Sequence, residues 1–237
     1  MNKGELFLIP TIISDNTTEA VINSFVRNEL RSIQHFLVEN ARTARRFLSS
    51  LHIYESIESL NFQTLDKDTP EHELKRLFLP LFEGKNIGIL AEAGCPGVAD
   101  PGSIAVNYAH QQGIKVRPLV GPSSILLALM GSGLNGQSFA FHGYLPIDKP
   151  AAIMTIKGLE KESISKKQTQ IFIETPYRNN SMMENLKSAL RDNTLICRAI
   201  DLTGQQEDIK TMTVKSWRGI SESLPKLPAI FLFLANS

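Results

Sequence analysis

The sequence predicts an α/β fold: two α/β domains with a ligand cleft between them, a mostly parallel sheet in the first and a mixed sheet in the second. Three observations carry this. Short apolar runs alternate with stretches of helical spacing through the first half of the chain. A glycine- and proline-rich bend, AEAGCPGVADPG at 91–102, joins the apolar run Ile87–Leu90 to a helical stretch from Ser103 to Gln112. The runs packed between 195 and 212 leave no room for a crossover helix, so part of the second sheet is antiparallel.

Taken in order, Glu5–Ile9 reads as a first strand stopped by Pro10, and Val21, Ile22, Phe25, Val26 and Leu30 mark a helix with Thr17 or Thr18 as its cap. His35–Glu39 is a second strand and Ala41–Leu51 a basic helix. Thr69-Pro70 opens a helix that Gly84 closes. Strand 87–90, helix 103–112 and strand Ile114–Val120 complete residues 1–121, the expected amino-terminal domain. In residues 122–237, the expected carboxy-terminal domain, Ser123 starts a short apolar helix. Ser138–Phe141 is a strand, the chain turns at Gly143–Pro146, and a lysine-bearing linker with helix-like material follows. Strands are expected at Thr169–Ile173, Leu195–Ile200, Ile209–Met212 and Ala229–Leu234, with helices at Ser181–Leu190 and Val214–Ser223. Trp217 and Phe172 read as core.

Composition excludes several classes of function. The 237 residues are 42% hydrophobic and 21% charged with a formal net charge of +1, so no overall field draws the chain to nucleic acid or membrane, and an RNA partner needs a local basic face. Cys95 and Cys197 lack metal-like spacing and the five histidines are scattered, which argues against metal catalysis and fits a reducing cytoplasm. The amino terminus lacks a signal peptide's apolar core, and the longest apolar runs are too short to cross a bilayer.

The bend itself carries the chemistry. Gly94, Gly97 and Gly102 let a ligand approach the backbone closely, and Pro96 and Pro101 hold one loop shape. Its place between a strand's carboxyl end and a helix's amino end is where open α/β sheets bind ligands. Neither G-x-G-x-x-G nor G-x-x-x-x-G-K-[ST] can be read there, so dinucleotide and nucleoside-triphosphate assignments lack support. PLVGPSS at 118–124 is a second such bend.

These segments together resemble the tetrapyrrole methylase superfamily, and within it the ribosomal RNA small-subunit methyltransferase I family. GELFLIPT at 4–11 is similar to that family's opening strand and Pro-Thr turn, and LVENAR at 37–42 to its A-E-D-T-R segment. The bend at 91–102 resembles S-D-A-G-T-P-x-x-x-D-P-G. PLVGPSS, Gly133-Leu134 and Phe141–Pro146 resemble P-L-P-G-P…G-L…G-F-L-P, and IFIETPYR at 171–178 resembles I-F-Y-E-S-x-H-R. Departures are equally plain: the first loop, Ile12–Asn16, has no glycine, Asn40 stands for aspartate, Ala41 for threonine, Glu92 for aspartate, Ala91 for serine and Tyr177 for histidine.

The resemblance implies ribose 2′-O-methylation of small-subunit ribosomal RNA with S-adenosylmethionine, in a cofactor cleft between the domains, by a cytoplasmic homodimer. It places Pro10, Ala93, Gly94, Cys95 and Val98, Ser123 and Ser124, and, from the second domain, Glu174, Leu202 and Thr203 at the cofactor. Methyl transfer to a sugar hydroxyl needs in-line orientation and a proton acceptor but no metal. Glu39, at a strand end, is the candidate base, or else a carboxylate paired with Arg42 or Arg46; Arg178 is a candidate phosphate holder, or else a member of an ion pair elsewhere in the fold. Arg42, Arg45 and Arg46 share a helix face suited to an RNA backbone, or to solvent. Two other readings keep parts of this picture: a tetrapyrrole, corrinoid or other small-molecule acceptor, and a silent relative that binds only cofactor or RNA.

Overall fold

The computed structural model of the chain describes residues 3–236. They divide into two compact units, one ending at Ser123 and the other beginning at Ser124. The first holds β1 (Leu6–Ile9), α1 (Thr18–Val21), α2 (Ser24–Leu30), β2 (His35–Val38), α3 (Ala41–Ser50), β3 (Asn61–Thr64), α4 (Glu71–Leu77), α5 (Leu79–Phe82), β4 (Ile87–Leu90), α6 (Gly102–Gln111) and β5 (Val116–Pro118). The second holds α7 (Ser124–Ser132), β6 (Phe139–Tyr144), α8 (Lys149–Lys166), β7 (Thr169–Glu174), α9 (Asn179–Ala189), β8 (Leu195–Ile200), β9 (Asp208–Thr213), α10 (Val214–Arg218) and β10 (Ala229–Leu234).

The first unit's sheet is parallel throughout, in the order β3-β2-β4-β1-β5. Its strands alternate faces with period two. Phe7, Ile9, Phe36 and Val38 bury against Val26, Leu30, Phe47 and Leu48 on one side, while Leu6, Leu37, Ile87 and Ile89 meet Leu74, Leu77, Phe78 and Tyr108 on the other. Both faces are covered, as parallel sheets require. Register matters most for function. Ile9 and Val38 both pair with Leu90, so β1, β2 and β4 end level and deliver Pro10, Glu39 and Ala91 to one edge.

The second unit's sheet runs β6-β7-β10-β8-β9, parallel between β6 and β7 and antiparallel elsewhere. One face packs Phe172, Phe231, Phe233 and Trp217 with α8 and α9; the other packs Ile171, Cys197 and Leu232 against Ala128 and Leu129 of α7. Trp217 is buried and donates from Nε1 to Ile196 O at 3.0 Å, which satisfies its polar atom within the core.

Several elements differ from the sequence expectation for local reasons. The helix expected through 21–30 is split, because Asn23 Oδ1 accepts from Val26 N and starts a new helix. Thr69 does not cap α4: its Oγ1 accepts from Asp66 N instead, and the helix opens at Pro70. The strand at 139 continues through Tyr144 across a bulge, and the lysine-bearing linker is an 18-residue helix capped by Asp148. The helix at 214 stops at Arg218. β3 was not anticipated.

Candidate functional site

Three loops of the first unit converge at the carboxyl edge of its sheet. Thr11 N donates to Gly94 O at 2.9 Å, and Thr11 Oγ1 donates to Ala91 O at 3.2 Å. Those two bonds stitch the loop after β1 to the bend after β4. The loop after β5 closes on the same place: Cys95 Sγ donates to Pro122 O at 3.3 Å. Gly94 sits at φ +71°, and a Cβ there would lie 3.4 Å from Pro122 O. Any side chain would be strained at that angle and would thicken the bend where the loops meet. Beyond it, Asp100 Oδ1 accepts from Gly97 N at 2.6 Å and Gly102 N at 2.7 Å, locking 97–102 into a closed turn ahead of α6.

The surface this leaves is small-residue backbone with an apolar margin. Ala93 is exposed and Val98 is 49% exposed, while Pro10 is buried beneath the bend. Ser123 and Ser124 are half-buried, and Ser124 opens the nine-residue helix α7, whose amino end carries the positive end of its dipole. Cys95 is held half-buried, and burial pushes its thiol pKa up, so it is a space-filling loop residue rather than a nucleophile.

Glu39 emerges from β2 beside this bend. Partial burial raises its pKa, and the charges of Asp100, Glu92 and Asp66 raise it further; the Glu92 backbone N–H, donating to it, pulls the other way. Neither Arg42 nor Arg46 pairs with it among the described residues, so the ion-pair alternative does not occur. Asn40, in the place of an aspartate, caps α3 by accepting from Arg42 N at 2.9 Å. The three arginines part company. Arg45 stacks its guanidinium on Phe62 at 5.1 Å, whereas Arg42 and Arg46 are exposed and Arg46 borders a cavity. That cavity, of about 250 Å³, lies between the 11–18 loop, α3 and residues 91–93.

In the second unit, Glu174 has a fully buried side chain whose Oε1 accepts from Thr175 N at 2.7 Å. Arg178 stands 3.0 Å from its Oε2, close as an ion pair but without hydrogen-bond alignment, and donates to Pro146 O at 3.2 Å. The turn after β8 is strained: Asp201 is at φ 49° and Thr203 at φ 69°. Leu202 is buried, Thr203 N donates to Glu207 Oε2 at 2.7 Å, and Thr203 Oγ1 is buried without a hydrogen-bond partner. Among the described residues, no group of three His, Cys, Asp or Glu side chains could hold a metal, and no helix is long and apolar enough to cross a membrane.

Sequence reasoning missed two working residues, Asp100 and Thr11. The signal for the first was present: an aspartate two residues before Gly102 in a turn accepts backbone N–H groups readily. Thr11 gave none, since its partners come from residues some eighty positions away.

No family model matches the chain. Among curated proteins, the chain is 30% identical over 206 residues to "Ribosomal RNA small subunit methyltransferase I" of Halalkalibacterium halodurans, covering 86% of this chain and 67% of that one. It is 30% identical over 210 residues to the protein of the same name from Vibrio cholerae, covering 87% and 68%. Among solved structures, it is similar to the methyltransferase CobJ with a TM-score of 0.62 and 15% identity, over 99% of this chain and 95% of the other. It also matches uroporphyrin-III-C-methyltransferase from Thermus thermophilus with a TM-score of 0.55 and 16% identity, over 98% and 94%.

Proposed function

The chain belongs to the ribosomal RNA small subunit methyltransferase I family, and from that premise we propose that it transfers a methyl group from S-adenosylmethionine to a ribose 2′-oxygen of small-subunit ribosomal RNA. One observation carries the cofactor assignment: the stitched bend at Ala93–Cys95, where Gly94 holds φ +71°, a conformation that strains any side chain, next to the exposed Ala93. The residues present fit the group. Backbone of Ala93, Gly94 and Cys95 takes the ribose and amino-acid ends, Val98 gives an apolar contact, and Pro10 forms the floor. Ser123 and Ser124 meet the carboxylate at the positive end of α7. Leu202, Thr203 and the backbone of Glu174 are assigned to the cofactor on the family resemblance; within the second unit the Thr203 hydroxyl is buried without a partner and the Glu174 carboxylate is engaged locally.

When bound, S-adenosylmethionine supplies an electrophilic methyl on a sulfonium sulfur. The chain's task is to hold the sugar hydroxyl in line, so that the oxygen–carbon bond forms as the carbon–sulfur bond breaks to a neutral thioether. Glu39 takes the hydroxyl proton. A carboxylate of raised pKa is the stronger base for it. Arg42 and Arg46 hold RNA phosphates, and Arg45 buttresses them from its place on Phe62. Arg178 acts by holding Glu174.

The protein works in the cytoplasm, where its ribosomal substrate is, as a homodimer. Supporting the dimer, Leu126, Met130, Tyr144, Ile147 and Met154 of the second unit are all at least half exposed. Titration calorimetry on Gly94→Leu tests the cofactor assignment: affinity for S-adenosylmethionine is lost while the thermal melt shows a folded chain. Unchanged affinity would remove the bend from the site.

A further inference from the structure

The cavity of about 250 Å³ in the first unit has no part in the cofactor assignment, yet it adjoins it, since Ala93 belongs both to its wall and to the bend. We infer that it receives the acceptor nucleotide itself, as one unstacked nucleoside with its phosphate against Arg46. This rests on the reading of the chain as an RNA methyltransferase and names where the RNA's reacting sugar is held.

Size comes first. Pockets for drug-sized molecules run to about 300–1,000 Å³, so this one, of about 250 Å³, suits a single nucleoside better than a four-ring macrocycle or a base pair. The acceptor must therefore arrive unpaired, as bases do when an enzyme extrudes them for chemistry. The lining matches such a guest. Ile13 and Phe47 bring apolar side chains to the lining, suited to the flat face of a base, and Thr43 and Ser50 bring hydroxyl-bearing ones. Ser50 Oγ donates to Phe47 O at 2.7 Å, so in its 3.2 Å contact with Thr18 Oγ1 it accepts, and it has only acceptor capacity left. At the rim Arg46, exposed and without an ion pair among the described residues, supplies the planar fork that phosphate recognition uses. Arg42, one turn earlier on the same face, extends that charge along the entering strand.

Placement supports the geometry of transfer. The register of β1 and β4 sets the cavity's two loops, 11–18 and 91–93, level at the sheet edge, and the Thr11–Gly94 hydrogen bond pins one to the other. A sugar held against Ala93 therefore meets the cofactor bend directly, and Glu92, also in the lining, donates its backbone N–H to Glu39.

Fluorine NMR on the full chain tests this with a short single-stranded RNA carrying one 5-fluorocytidine, titrated with and without S-adenosylhomocysteine. The expected result is a shifted fluorine resonance on binding. Thr43→Phe, which fills the cavity from α3, and Asp15→Trp, which fills it from the opposite loop, each weaken that binding by about tenfold or more. Both leave calorimetric affinity for S-adenosylhomocysteine within about twofold of wild type. Two variants on opposite walls guard against misfolding of one, and thermal melts report on both. A fluorine signal indifferent to both substitutions, or absent while the cofactor product binds, overturns the cavity assignment. Failure of S-adenosylhomocysteine to bind the wild-type chain strikes instead at the methyltransferase reading, and the cofactor-free titration still decides the cavity.

Discussion

Gly121 packs its backbone directly on the ring of Pro10: a Cβ at 121 would sit 2.1 Å from Pro10 Cβ and 2.3 Å from Cγ. The loop after β5 can therefore close over the end of β1 only with glycine at 121. Gly121→Ala should destabilise the chain by about 1–3 kcal/mol through overpacking, lowering the melting temperature by roughly 2–4 °C per kcal/mol. Pro10→Gly in the same chain removes the obstructing atoms and should recover part of the loss. A double-mutant cycle by thermal melting checks it, and strict additivity would deny the contact.

Glu39 couples stability to pH in a direction that can be worked out. Its native pKa is raised above the unfolded value by burial and by Asp100, Glu92 and Asp66. The stability that its protonated carboxyl confers is thus complete below the unfolded pKa and fades as pH rises through the native one. Glu39→Gln should be more stable than wild type at neutral pH, with the gain vanishing toward acid. Turnover in the variant should fall by about a hundredfold or more, and the wild-type rate should climb with pH through the raised pKa. Melts and initial rates across pH 4–8 check both; a gain that persists unchanged into acid would contradict the sign.

Arg178, partly exposed, stands over the buried carboxylate of Glu174, and removing the arginine leaves that carboxylate stranded. Arg178→Ala should cost about 2–3 kcal/mol, discounted because the arginine is partly exposed. Adding Glu174→Gln should restore most of it. Were Arg178 instead a contact to RNA, the single variant would melt normally and lose only RNA affinity.

Arg42 and Arg46 lie free on α3 while Arg45 is occupied by Phe62. Replacing the first two with Ala should flatten the logarithmic salt dependence of RNA binding by about 1.4, at about 0.7 per phosphate contact for a single strand. Arg45→Ala should change that slope less and stability more. Filter binding over a salt series measures it, and equal slopes for both variants would refute the division.

How much of this was readable beforehand follows from where the determining atoms lie. Strand 229–234 is an uninterrupted apolar run and 195–200 is one broken only by Arg198; both are buried on both faces, and the structure places both at those bounds. β3 was missed because NFQT is a half-exposed edge strand with one apolar residue, held by its parallel pairing to β2. α8 was read as a linker because its buried face includes Glu160 and Ser163, which bond Thr194 and the Gln168 carbonyl rather than avoiding the core. The glycine bend was readable from its residues. Its fastening was not, since Thr11, Gly94 and Pro122 meet only after the sheet has formed. The cavity beside α3 had no sequence signature at all, being the space left between two loops.

The central claim is tested most directly by incubating small ribosomal subunits, from cells lacking this protein, with the purified chain and S-adenosylmethionine carrying a labelled methyl group. The RNA is then digested to nucleosides and analysed by mass spectrometry. The account predicts label in a single 2′-O-methylated nucleoside of the small-subunit RNA, formed by wild type and not by Gly94→Leu. Label on a base carbon or in a small molecule, or no transfer by a chain that binds the cofactor, would contradict it.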